Sequence, residues 1–197
     1  MVAFRAFSLV AALACAAFTY AAPVSPVENA LVARCGCTPL PAIIGTLETS
    51  VTPLVIELKY LTSANATAEI VGPLVYGIKD AVNVAIGDVK VLSGVAVDTV
   101  LSTATGVLSL VDIAKIIASV VCLIFSALGH VLHVVSAVEK GAVYPLLCEV
   151  GALVGELLKL ILALVADLLA VLLPLLAKII TVVVNLSLAD VFYFLKL

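Results

Sequence analysis

Residues Val143–Leu197 read VYPLLCEVGALVGELLKLILALVADLLAVLLPLLAKIITVVVNLSLADVFYFLKL. Leu, Val, Ile and Ala fill most positions, and formal charges fall only at Glu149, Glu156, Lys159, Asp167, Lys178, Asp190 and Lys196. Glu156, Asp167 and Lys178 recur every eleven residues. That interval is close to three helical turns and puts the three on one line along a helix. Ala163, Ala170, Pro174, Thr181 and Asn185 lie near the same line. The spacing predicts a long helical segment with one thin polar stripe and an apolar surface over the rest of its circumference.

The whole chain shares this bias. Of 197 residues 64% are hydrophobic and 12% charged, with a mean hydropathy of +1.35. Ordinary soluble domains are roughly 45–50% apolar and about 25% charged. A domain of this size buries only about 70% of the surface its unfolded chain exposes, so polar residues are too few to cover the outside. Large apolar patches are expected to remain, and such patches mark contact with a partner, a membrane or an interface. The net charge is −3 with no basic run, which sets nucleic-acid binding aside.

Met1–Arg5 forms a short positive region, Ala6–Phe18 an apolar one, and small residues follow at Thr19, Ala21 and Ala22 before Pro23. This is the pattern of a secretory signal peptide over residues 1–22. Removing it takes away Cys15 and leaves Cys35, Cys37, Cys122 and Cys148. An even count in an oxidising compartment predicts two disulfides. Cys35 and Cys37 are too close for an unstrained mutual bridge, so each is expected to pair with Cys122 or Cys148, in either combination. Zinc is the weaker reading of Cys-Gly-Cys, because no second closely spaced ligand pair follows.

Residues 23–39 are rich in Pro and small side chains and read as an extended arm. From Leu40, apolar residues at Ile43, Ile44, Leu47, Val51, Leu54, Val55, Leu58 and Leu61 hold one helical face, with Pro53 a place for a kink. A polar turn follows, and its Asn65-Ala66-Thr67 is an N-glycosylation sequon. A second amphipathic helix begins near Ala68 and runs to about Leu92; Ser93–Gly106 reads as a loop or frayed helix. Ser109 and Asp112 resemble a capping box. The third helix is expected from about Leu110 to Lys140, stopped by Gly141. The predicted fold is all-α, a bundle of about four helices. Two amphipathic helices occupy 40–106, two very apolar ones form a hairpin over 107–197, and disulfides staple the arm across the hairpin.

Ile116–Val138 contains no Asp, Glu, Lys or Arg and is long enough to cross a bilayer. The returning arm is less suited. Glu156 and Lys159 near a bilayer centre would each cost roughly 2.5–3.5 kcal/mol, which offsets the gain from its apolar residues. The shifted span Leu168–Leu188 carries Lys178 and Pro174. A membrane anchor is therefore the alternative reading, behind a water-exposed amphiphile.

Residues with chemical potential are few. His130 and His133 share a helix flank, but no carboxylate or cysteine at matching spacing accompanies them as metal ligand. No Gly-x-Ser-x-Gly elbow is present. Glu156 and Asp167 stand roughly 16 Å apart along a helix, too far for a glycosidase pair. The sequon at Asn185 falls in the apolar C-terminal run and is expected to stay unmodified. No catalytic, cofactor-binding or metal residue is predicted, and the chain does not read as an enzyme.

The leader, the Cys35-Gly36-Cys37 arm ahead of the first helix, the sequon at Asn65 and the Leu/Val/Ala-rich second half resemble small secreted structural proteins of mushroom-forming fungi. Within that group the layout is similar to non-hydrophobin proteins of aerial hyphae, with a more polar first half and a hydrophobic second half. Hydrophobins themselves are set apart by a larger cysteine complement. The resemblance implies a cell-wall or hyphal-surface protein that serves attachment and surface coating. The partners expected are further copies of the chain, hydrophobic surfaces or lipid, and cell-wall components. A helical carrier for a lipid or sterol is a further alternative.

Overall fold

Helices form wherever apolar residues repeat on one face, and the turns between them decide how those faces meet. The computed structural model describes residues 36–188 and 190–193; the expected leader, Cys35 and most of the arm lie outside them. Helix α1, Leu40–Lys59, starts behind Pro39 with a second proline in its first turn, where a missing N–H costs nothing. It buries Leu40, Ile43, Ile44, Leu47, Val51, Val55 and Leu58, the expected stripe. The helix continues through Pro53.

Leu61–Thr67 reverse the chain into α2, Ala68–Val91, which buries Val71, Val75, Ile78, Val82, Ala85, Ile86 and Val89. Its N-cap Thr67 makes no side-chain cap. Instead the Ala68 N–H donates to Glu139 Oε2, 3.0 Å away and 71 residues along the chain. The stretch read as loop or frayed helix holds a one-turn helix α3, Val97–Val100, and a two-residue antiparallel ladder, Ser102–Thr103 (β1) with Gly106–Val107 (β2).

Ser109 caps α4, Leu110–Val134, as expected: its Oγ accepts from the Asp112 N–H at 3.2 Å and donates to Asp112 Oδ2 at 2.6 Å. The end of this helix differs from the sequence reading. Val135 turns extended (φ −63°, ψ 132°), and Lys140 already begins α5, Lys140–Leu164. Gly141 thus sits in the first turn of the next helix and terminates nothing.

The long C-terminal helix is also broken. Asp167 adopts the left-handed conformation, φ 64°, which a short polar side chain tolerates better than most. The chain turns back there into α6, Leu168–Leu176, a 3₁₀ turn Ala177–Ile179, and α7, Ile180–Asn185. A second left-handed residue, Ser187 at φ 54°, redirects the chain again. Glu156, Asp167 and Lys178 are exposed, but they lie on an helix, its turn and the returning leg rather than on one continuous stripe.

The protein is therefore all-α, with more helical segments than the four expected. α1 lies between α2 and α4, α2 packs on α5, and α6 and α7 pack on α4. The core they enclose is almost wholly apolar; among the described residues Ser102 is the one buried polar side chain. Close packing of the C-terminal leg depends on missing side chains. A Cβ on Gly151 would strike Leu188, one on Gly155 would meet Val191 and Phe192, and one on Gly129 would lie 3.0 Å from Val182 Cγ2. Leu188 and Phe192 are buried in this groove, each contributing roughly 1.5–3 kcal/mol of transfer free energy.

The predicted staple is absent. Cys122 and Cys148 are free thiols, while Cys37 is disulfide-bonded. Each free thiol faces the C-terminal leg. Cys122 Sγ lies 3.9 Å from the Leu175 carbonyl, and Cys148 Sγ lies 3.4 Å from that of Leu186. The leg itself is held by packing of Val182, Leu188, Val191 and Phe192 over Gly129, Gly151 and Gly155.

Candidate interaction surface

Charge is distributed unevenly over the bundle. α1, α2 and α5 carry exposed Glu57, Lys59, Asp80, Asp88, Lys90, Glu149, Glu156 and Lys159. Two ion pairs cross the seam between α2 and α5: Lys79 Nζ to Glu149 Oε2 at 2.7 Å and Lys90 Nζ to Glu156 Oε1 at 3.1 Å. The hydrogen bond to Glu149 raises the Lys79 pKa, against a smaller opposing effect of desolvation.

The side built by α4 and the α6–α7 leg is different. Ile116–Val138 has no formal charge, and Leu168–Asn185 has only Lys178. Leu169, Val171, Leu173, Leu175 and Val182 are half-buried on the leg, and Val184 is 59% exposed. Only 28% of the apolar Leu168–Asn185 window is buried, against 50% for α4. The most apolar segment is thus the least enclosed. The outer side of the leg follows the thin stripe read from the sequence, since Ala170, Pro174, Lys178, Thr181 and Asn185 are all exposed, but one cation among small and neutral residues leaves that side weakly polar.

Among the described residues, four segments are long and apolar enough to cross a membrane: Leu40–Lys59, Ala68–Val91, Leu110–Val134 and Leu168–Asn185. α5 is not among them. The shifted span considered from sequence corresponds to the fourth.

The predicted modification and cysteine positions separate in space. Asn65 is exposed in the α1–α2 turn, and its Oδ1 accepts from the N–H and the hydroxyl of Thr62, at 2.6 and 3.1 Å. Both bonds use the oxygen, so the amide nitrogen that would carry a glycan is not engaged by them. Asn185 is no interior helical residue: it is exposed at the last position of α7. Burial pushes the Cys122 thiol up, partly opposed by Lys178, and pushes Cys148 up, partly opposed by the Tyr144 hydroxyl.

The two histidines do different things. The His130 ring Nε2 lies 2.9 Å from the Leu61 carbonyl, tying α4 to the turn after α1. His133 is exposed one turn on. Among the described residues no three His, Cys, Asp or Glu side chains gather as a metal site.

No protein-family model matches this chain, and neither does any curated protein or solved structure.

Proposed function

We propose that the protein is a secreted amphiphilic structural protein of the fungal cell surface or wall, which self-associates or coats hydrophobic interfaces during hyphal attachment and aerial growth. The observation that carries this reading is the neutral face of α4 and the α6–α7 leg on a bundle whose other helices are charged. Each Å² of that face removed from water contributes on the order of 25 cal/mol, so contact with air, wax, lipid or another copy needs no specific pocket. The fungal and cell-wall parts rest on the resemblance of the sequence layout. The reading assigns no catalytic step, and Asn65 is its glycosylation site.

A membrane-anchored protein is the second reading, favoured by the four apolar segments. Against it, Lys79 stands halfway along α2 and bonds Glu149 well inside α5. A bilayer around these helices would enclose both charges at a cost of several kcal/mol per ion.

Expression of the full chain followed by carbonate washing separates the two. Protein in the medium or wall fraction, as soluble oligomers or surface-active film, supports the amphiphile. Carbonate-resistant pelleting sinks it and favours the anchor.

A further inference from the structure

At one end of the neutral face, the end of α4, the start of α5 and the end of α7 surround an open cleft. A hollow of about 370 Å³ is lined by Gly129, Leu132, His133, Lys140, Tyr144, Val182 and Asn185. A second, more open hollow of about 550 Å³ shares Lys140, Tyr144 and Asn185 with it. One wall is apolar and the other presents an ammonium, an imidazole, a phenol and a carboxamide.

The charge in this cleft is uncompensated. Lys140 makes no ion pair or hydrogen bond through its side chain among the described residues. The neighbouring Glu139 is committed elsewhere, to the Ala68 N–H of α2. A lysine in the first turn of a helix also works against the helix dipole, so helix stability does not explain its position. The Tyr144 hydroxyl is held in place at 3.2 Å from the Asn185 carbonyl and 3.3 Å from Ser187 Oγ, which fixes the far wall without using the Asn185 carboxamide.

We propose that this cleft receives the anionic headgroup, phosphate or carboxylate, of an amphiphile whose hydrocarbon lies along the neutral face. Lys140 supplies the charge, and His133 and the Asn185 amide supply hydrogen bonds to the oxygens. Gly129, Leu132 and Val182 lead from the cleft onto the apolar surface. This inference rests on the amphiphile reading and adds a chemical preference to it: among hydrophobic surfaces, the protein favours those bearing anionic oxygens.

The test is flotation of the purified mature chain with phosphatidylcholine vesicles, with and without added phosphatidylglycerol. Lys140→Gln, Asn185→Asp and the control Lys178→Gln are compared with wild type, each checked for unchanged helix content and melting. Wild type should prefer the anionic vesicles. Lys140→Gln should weaken that binding about fivefold, Asn185→Asp should weaken it further by placing a carboxylate in the cleft, and Lys178→Gln should change it less. Displacement by inorganic phosphate would show that the site takes the free anion; failure to displace would show that it takes the headgroup on a lipid. Both support the cleft when Lys140→Gln weakens binding to the anionic vesicles more than Lys178→Gln does. Equal binding of both vesicle types, or equal loss in Lys140→Gln and Lys178→Gln, overturns the inference while leaving the amphiphile standing. No binding to any vesicle or oil droplet overturns both.

Discussion

Phe192 meets Phe125 edge to face, with ring centroids 5.7 Å apart and planes at 79°. The contact joins the C-terminal leg to the middle of α4, and both rings are fully buried. Replacing Phe192 by Ala leaves a void beside Phe125 and Gly155. The expected loss is about 3 kcal/mol or more, read as a lower denaturation midpoint with little change in slope.

Glycines on the groove and glycines in open space should respond in opposite directions. Gly155→Ala forces a Cβ against Val191, a β-branched side chain with little freedom to move, and should destabilise by roughly 1–3 kcal/mol. A Cβ at Gly87, an exposed position in α2, meets nothing within 4 Å. Gly87→Ala should therefore stabilise by about 0.5–1 kcal/mol through helix propensity. Thermal melts of the two variants check the sign of each.

The capping hydroxyl of Ser109 offers a local test. Ser109→Ala removes the acceptor for the Asp112 N–H and should cost about 1 kcal/mol, whereas Ser109→Asp retains a capping oxygen but sets it beside Asp112. Melting of the Ala variant should fall by a few degrees. No change would show that Asp112 or water replaces the cap fully.

Cys122 and Cys148 should alkylate more slowly in the folded protein than in denaturant at neutral pH, because the thiolate is the nucleophile and burial disfavours it. Their raised folded pKa values also fix the sign of a stability effect. The folded state holds these protons more tightly, so the contribution is complete at neutral pH and lost as pH rises through the alkaline range above about 8.5. Peptide mapping after timed labelling reads the first effect, and melting as a function of pH reads the second. Rapid labelling of the native protein would place both thiols outside the cover of the C-terminal leg.

The helices that could be read from sequence are those with a polar side. α1 and α2 follow apolar spacing because Glu57, Asp80 and Asp88 mark their outside, and α4 begins where Ser109 and Asp112 predict. Past Ile116 that contrast is lost. Val134 and Val135 differ little in composition, yet the helix ends between them. The reversal at Asp167 uses neither glycine nor proline, so no breaker announced it. Pairing of the cysteines was inferred from their count and compartment, but the leg that covers Cys122 and Cys148 becomes visible only once that reversal is known. Glu139 capping α2 from 71 residues away leaves no local sequence signal at all.

The turn at Asp167 also fixes a dimension. Uninterrupted, a helix from Lys140 to Asn185 would be a rod of roughly 70 Å. Folded back, its longest piece, the 25-residue α5, measures only about 38 Å, and the apolar leg lies flat along the side of the bundle. A layer of molecules resting on that side would be a few helix diameters deep, roughly 20–30 Å. Under the proposed function, the left-handed backbone of one aspartate would set the thickness of the coat and the area each molecule covers.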